Sequence, residues 1–465
     1  MLFSSTVFLL IFLPLVLGIY YLLRGHRRLQ NFFLLLASLL FYAWGKPENM
    51  LLLLFSIFCN YGFGCLLGSL QKKRGPANAV LWAAVAVNLG LLFAFKYAGF
   101  AADQLESLGI RLNLPRLVLP IGISFYTFQA MSYVIDVYRG KTPAQKNPLS
   151  LALYISLFPQ LIAGPIVKYH SVADQINRRV ESWEGFSGGV RRFLIGLCKK
   201  VLLANQLALI ADAAFASKLP TASLAWLGAI CYSMQIYYDF SGYSDMAIGL
   251  GAMFGFRFAE NFRHPYCAIS VADFWRRWHI SLSDWFRDYV YFPLGGSRVN
   301  SKWKLMRNLL ITWALTGFWH GANWTYLLWG LSHFVLLTLE RQLHPEDRLP
   351  AFLRRVLTLF VVVLTMVIFR AESVATAGRY FAAMFGGSGF FSPLTVFYLR
   401  EYLVFLIPAL LFCAPVADWL RVRLERKKNL RWLLPVSGAA LALLYVVVIC
   451  YLVKGTYNPF IYFNF

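Results

Sequence analysis

The sequence predicts an all-helical, polytopic membrane protein, on three observations. Of its 465 residues 59% are hydrophobic, and the mean hydropathy is +0.58. Only 14% are charged, against about 25% in a typical soluble domain. Apolar runs near the roughly 20 residues needed to cross a bilayer alternate with short loops that hold most of the Lys and Arg. A soluble fold has no way to hide this much apolar surface. The formal net charge of +23 would raise nucleic acid as a partner in a soluble chain. Here the basic residues follow the positive-inside pattern and form no groove with interleaved aromatics, so nucleic acid is excluded. The seven cysteines are scattered without a C-x-x-C and read as small buried hydrophobes, with no disulfide framework and no metal site.

The elements follow in order. The run Leu2–Leu23 lacks a basic n-region and a small-residue cleavage site, so it reads as a retained first span rather than a signal peptide. The basic cluster Arg24 to Arg28 then puts the first loop inside and the N-terminus outside. Runs at Asn31–Trp44, Met50–Leu70, Ala77–Phe95 and Leu117–Val137 alternate sides consistently with basic Lys72-Lys73-Arg74, a mixed-charge external loop with Asp103 and Glu106, and Arg139 with Lys141. Leu149–Val167 is broken by Pro159, Gly164 and Pro165 and reads as re-entrant or kinked, which is tolerated only where the backbone is buried in protein or lines a cavity. Lys168–Glu184 reads as a cytoplasmic loop, and Val190–Phe215 as a helix with Lys199 and Lys200 near its inner end. Ser223–Gly255 carries Asp239 and Asp245, which need partners at membrane depth. Further spans lie near Val356–Phe369, Tyr402–Leu420 and Leu433–Leu452, the loop Arg421–Arg431 is strongly basic, and the aromatic tail Tyr457–Phe465 suits an interface. The expectation is one membrane domain over 1–465 with roughly eleven to thirteen membrane segments.

Two stretches stand out for chemistry. Read as one helix, Asp273–Val290 puts Phe274, Trp278, Leu282, Trp285 and Tyr289 on one face and Arg276, His279, Ser283 and Arg287 on another. That polar stripe suits either an amphipathic interfacial helix touching lipid phosphates or the wall of a pocket for an anionic ligand. The second stretch is Leu309–Leu339, 31 residues without Lys, Arg, Asp or Glu. Gly317, Gly321 and Asn323 predict a helix break that leaves His320 in the bilayer interior. A neutral imidazole is the cheapest titratable group to keep at that depth and is a competent base for a hydroxyl proton; the alternative is a structural histidine bonded to a backbone carbonyl. His333, further along the run, reads as interfacial, the alternative being a second functional group. No H-E-x-x-H, Walker loop or G-x-S-x-G is present, so metal hydrolysis, nucleotide hydrolysis and serine esterase chemistry lack a motif.

Together DFWRRWHISLSDWFRDYVYFPLGG (Asp273–Gly296) and GFWHGANWTYLLWG (Gly317–Gly330) resemble the signature of the membrane-bound O-acyltransferase superfamily. Supporting stretches are FPQLIAGPIVKYH (Phe158–His170), GVRRFLIGLCKKVLLAN (Gly189–Asn205), QIYYDFSGYSDMAIG (Gln235–Gly249) and the terminal PFIYFNF. The likeness spans essentially the whole chain, with the core motifs in 158–333. It is strongest to the bacterial branch that includes the alginate O-acetyltransferase membrane subunit, with the D-alanyl transferase of teichoic acid more distant.

The resemblance implies a ring of tilted helices around a tunnel and a reaction in which a hydroxyl attacks an acyl thioester. It places the family's invariant histidine on His320 and its partner on His279, 41 positions apart, so the fold must bring them together. His320 would act as general base or position the hydroxyl; His279 with Arg276, Ser283 and Arg287 would lie towards the thioester entry. Asp239, Ser241, Tyr243, Trp319 and Asn323 are further candidates for binding the donor or lining the tunnel. The implied co-substrate is acetyl-CoA or an acylated carrier protein, with no tightly bound cofactor. The implied partners are an extracytoplasmic acetyltransferase and an exported polysaccharide, at the bacterial inner membrane. The competing expectations are D-alanyl transfer to teichoic acid and, in a different class, a transporter or flippase without acyl chemistry, for which Asp239 and Asp245 would be carrier groups.

Overall fold

The computed structural model describes residues 1–71, 73–110, 117–426, 433–455, 457–458 and 461, and every regular element among them is a helix. Among the described residues five helices have the length and apolarity to cross a membrane: Glu48–Ser69, Arg74–Ser107, Trp183–Ala216, Ala351–Arg370 and Val436–Lys454. A sixth span arises if Pro393–Glu401 and Leu403–Phe412, bent by 74°, count as one. The larger number expected from the sequence includes elements that are shorter or more polar, such as Phe8–Leu22 and the 32-residue helix Ala222–Met253. The chain forms two compact units, residues 1–193 with 246–259, and 194–245 with 260–465.

In the first unit, Phe3, Phe8, Phe12, Phe41 and Phe158 pack ring against ring at 5.0–6.4 Å. This aromatic cluster receives the broken segment: after helix Pro148–Ser156, capped by Asn147, come the short turn Phe158–Leu161 and irregular backbone, buried through Val167. The kink expected there is present, and its backbone lies inside protein, where such backbone survives. Helices Glu48–Ser69 and Arg74–Ser107 are tied by a reciprocal amide pair, Asn60 to Asn88 at 2.9 and 3.1 Å.

One expectation is corrected here. Lys168–Glu184 is not simply a loop, because Tyr169–Arg178 is a helix whose Val172 and Ile176, one turn apart, are buried. The turn after it is locked: Arg27 and the Tyr20 hydroxyl both donate to the Glu181 carboxylate, and Arg179, itself buried, donates to Asn31 (2.6 Å) and to the Phe254 carbonyl (3.1 Å). Burial alone would raise the pKa of Glu181, but the hydrogen bonds from Arg27 and Tyr20 outweigh it and hold the group at about 2.

In the second unit the two aspartates of the long apolar helix have partners. Lys200 meets Asp239 at 2.6 Å and Lys199 meets Asp245 at 2.7 Å. The wide helical turn Lys199–Ala204 carries both lysines, so they serve as counter-ions rather than as a free basic cluster. From the terminal segment, the Ile461 N–H donates to Asp239 (3.0 Å) and the Tyr457 hydroxyl to Asp212. The rest of the expected aromatic tail, from 459 to 460 and 462 to 465, and residues 427–432 of the basic loop lie outside the described residues.

Helices Lys302–His320 and Trp324–Leu343 form a tight hairpin. A Cβ on Gly317 would fall 2.4 Å from the Tyr326 carbonyl oxygen, and one on Gly330 would fall 2.4 Å from that of Trp313. Only hydrogen at both positions lets the two backbones cross this closely.

Candidate active site

The break predicted near His320 is where the sequence put it. Helix Lys302–His320 ends on the histidine, Gly321 is extended, and Asn323 starts the next helix by accepting from the Thr325 N–H at 3.1 Å. His320 is 3% exposed, and its ring sits among Trp319, Trp329 and Phe369, all at 5.1–5.2 Å and close to perpendicular.

The stretch around His279 departs from the single helix expected. Helix Val271–Arg277 ends, Trp278 is extended, His279 takes a left-handed backbone (φ +43°), and a new helix runs Ile280–Phe286. A side chain other than glycine adopts that conformation only where surrounding structure enforces it. Here the enforcing contacts come from the segment 261–263: Ile280 N–H donates to the Asn261 carbonyl and Arg263 N–H to that of Arg277, both at 2.9 Å. The apolar set Phe274, Trp278, Leu282, Trp285 and Tyr289 stays buried across the joint. The polar stripe does not survive. His279 turns inward and is fully buried, while the Arg276 and Arg287 side chains are 71% and 51% exposed and pair with Asp273 (3.6 Å) and with Asp284 (2.7 Å). Ser283 is half-buried.

Asn261 defines the state of the inward imidazole. Its Oδ1 accepts from the Ser281 N–H (3.2 Å) and hydroxyl (2.9 Å), and its Nδ2 donates to Ser244 (2.9 Å). The His279 Nδ1 lies 3.2 Å from that same Oδ1, so the network assigns the proton to Nδ1 and the lone pair to Nε2. Phe240 packs its ring against the imidazole at 4.5 Å. The joint lies between two short helices, outside the long spans, and burial there holds the His279 pKa well below the ordinary histidine range, with neighbouring His320 adding to the effect.

Trp319 connects the two histidines: its ring lies 6.1 Å from that of His279 and 5.1 Å from that of His320. The fold thus assembles the pair that the sequence separates. Of the other candidates, Asp239, Ser241 and Tyr243 are buried, and Asp239 is engaged by Lys200 and Ile461. Asn323 commits both ends of its amide, to Thr325 and to the Glu372 carbonyl (2.9 Å). His333 corrects another expectation. It is fully buried rather than interfacial, accepts from the Trp275 Nε1–H (3.2 Å), and is surrounded by Trp275, Trp313 and Trp329 at 5.0–5.4 Å.

The residues missed from the sequence are Asn261, Ser281, Trp329, Phe369 and Glu340. Glu340 accepts from the N–H groups of Val271 (2.5 Å) and Ala272 (3.2 Å), holding the start of the helix that leads to His279. A signal existed for Trp329 and His333, which stand one and two helical turns beyond Thr325 on one face. None existed for Asn261, whose role arises only in three dimensions.

A strongly apolar chain, helical in every regular element among the described residues and with two imidazoles buried around one tryptophan, has the make-up of a membrane-embedded enzyme. The chain belongs to the membrane-bound O-acyltransferase family, whose sequence profile matches residues 143–378, and it is an O-acyltransferase. It is 41% identical to a probable alginate O-acetylase, AlgI, of Pseudomonas putida over the full length of both chains. It is 35% identical to a peptidoglycan O-acetyltransferase of Helicobacter pylori, covering 84% of this chain and 80% of that one. It is 30% identical to a teichoic acid D-alanyltransferase of Bacillus subtilis, covering 48% and 59%. These kinships support acyl transfer and set the transporter reading aside. The ion pairs of Asp239 and Asp245 agree, since both groups have structural partners.

Proposed function

We propose that this enzyme moves an acetyl group from a cytoplasmic thioester, acetyl-CoA or an acylated carrier protein, to a hydroxyl of an exported polysaccharide or of an extracytoplasmic partner that passes it on. The reading takes its acceptor class from the alginate and peptidoglycan acetylases above, its thioester donor from what the sequence motifs imply, and its site from one observation: His279 and His320 share Trp319. His320 takes the acceptor proton as the hydroxyl oxygen adds to the thioester carbonyl carbon. The carbonyl electron pair moves to oxygen, then returns and breaks the C–S bond. The leaving thiolate takes up the proton from His320. His279, its Nε2 lone pair fixed by Asn261, orients the donor on the other side of Trp319. Burial of both imidazoles keeps bulk water from competing with the acceptor. The enzyme sits in the inner membrane with its N-terminus outside, and the donor enters through a tunnel from the cytoplasm.

The test is acetyl transfer by purified full-length protein from labelled acetyl-CoA or an acetylated carrier to oligosaccharide acceptors. Loss of at least about 10³-fold in His320→Ala, with donor binding kept, supports the reading. Equal turnover in wild type and His320→Ala would overturn it. A second reading, D-alanyl transfer, has its support from the teichoic acid D-alanyltransferase relatives and is checked in the same assay with a D-alanyl carrier.

A further inference from the structure

Helix Trp324–Leu343 presents Thr325, Trp329 and His333 at four-residue spacing, all essentially unexposed. The Trp329 Nε1–H, the His333 Nε2 and the Thr325 hydroxyl have no hydrogen-bond partner among the described residues. Buried polar atoms are nearly always paired, and each exception calls for a reason. The state of His333 follows from its neighbour. Indole is a donor only, so Trp275 fixes His333 Nδ1 as an acceptor and leaves the proton of the neutral ring on Nε2. Trp329 and His333 therefore both hold out N–H groups, and neither has an acceptor among the described residues. Their rings are 5.0 Å apart, and the Trp329 ring is 5.1 Å from that of His320.

We propose that Trp329 and His333 form a donor-only half of the site that receives the carbonyl oxygen of the acyl thioester. This rests on the thioester reading above and adds what that reading lacks, a place for the charge. When the acceptor oxygen bonds to the carbonyl carbon, the C=O electron pair moves onto oxygen. Two preset N–H donors buried from solvent stabilise that oxyanion far better than water would. When the pair returns, the thiolate leaves and takes the proton held on His320, so His333 neither gains nor loses one. The tryptophan cage around His333 keeps its ring in the donating tautomer.

The test uses two 4′-phosphopantetheine thioethers, the arm that CoA and carrier proteins share: S-acetonyl, which keeps the carbonyl, and S-propyl, which lacks it. Binding is measured on the full-length protein in lipid nanodiscs. Wild type should prefer the acetonyl compound by about tenfold, the worth of one net hydrogen bond. Trp329→Phe keeps an aromatic ring, and His333→Asn keeps an acceptor for Trp275 while removing the distal N–H. Each removes one of the two donors and should cut the preference to about threefold, leave S-propyl binding unchanged, and lower kcat by about 10²-fold. A full acetonyl preference in both variants would overturn the proposal and leave the thioester reading standing. Failure of wild type to bind either compound would overturn the thioester reading, and this proposal with it. Loss of both compounds in Trp329→Phe alone would indicate a collapsed pocket, and the acetonyl preference of His333→Asn then decides.

Discussion

Asn261 and His279 meet through Oδ1 and Nδ1 at 3.2 Å, and because Ser281 donates twice to that same oxygen the amide cannot flip to offer its nitrogen. Asn261→Ala should therefore lower kcat by about 10²-fold, the scale of a misplaced catalytic group, with a smaller change in KM. Asn261→Asp should behave differently. A carboxylate beside His279 favours the imidazolium and raises its pKa, so the Nε2 lone pair that orients the donor is lost as pH falls through the raised value. The pH–rate profile of the aspartate variant should gain an acid limb absent from wild type; superimposable profiles would contradict the assigned tautomer.

Glu340 reaches across from Trp324–Leu343 to hold the N-terminus of helix Val271–Arg277. Glu340→Ala should cost roughly 1–2 kcal/mol in stability, the range of a lost helix cap. Glu340→Gln, which keeps an acceptor, should recover part of it. Thermal unfolding in detergent reads the first effect, and the left-handed joint at His279 links it to turnover.

The pair Lys200–Asp239 is fully buried. Lys200→Met alone leaves an unbalanced carboxylate and should destabilise by about 3–5 kcal/mol. Adding Asp239→Asn, whose amide oxygen still accepts from Ile461, should restore most of the stability and the acetyl-transfer activity. A double variant that is stable yet inactive would give the pair a role in the reaction that the ion pair itself does not require.

Glu181 supplies a pH dependence of stability outside the spans. Its folded pKa of about 2 lies below the roughly 4.3 of a free glutamate. The sign follows: the contribution is fully present above the unfolded value and is lost as pH falls from there through the folded one. The difference in melting temperature between wild type and Glu181→Gln should be constant from pH 8 to 5 and shrink below about pH 4.3. A difference that grows on acidification would rule out the lock described for Arg27, Tyr20 and Glu181.

How much of this was legible in the sequence differs between the two motifs. The break at His320 was legible because Gly317, Gly321 and Asn323 are local signals, and the family likeness was carried by the same residues. The break at His279 was not. Trp278-His279 contains no Gly or Pro, and the helical spacing of its apolar residues is real, since all five remain buried. What ends the helix is backbone hydrogen bonding from Asn261 and Arg263, some 15 residues earlier in the chain. The arginine stripe failed for the same reason: a left-handed residue in its middle rotates His279 away from Arg276 and Arg287. His333 was misread because its partners, Trp275 and Trp313, are distant in sequence.

The close crossing of Gly317 and Gly330 makes the loop between them a matter of count rather than of composition. Three residues, 321–323, join the two helices. One residue more or less would break the register that sets Gly317 against Gly330. Gly330 would then leave the crossing, and Trp329 and His333 would swing off His320 together. Evolution and protein engineering can change side chains along this hairpin one at a time, but a length change in its loop would disrupt the crossing, the base and the donors in a single step.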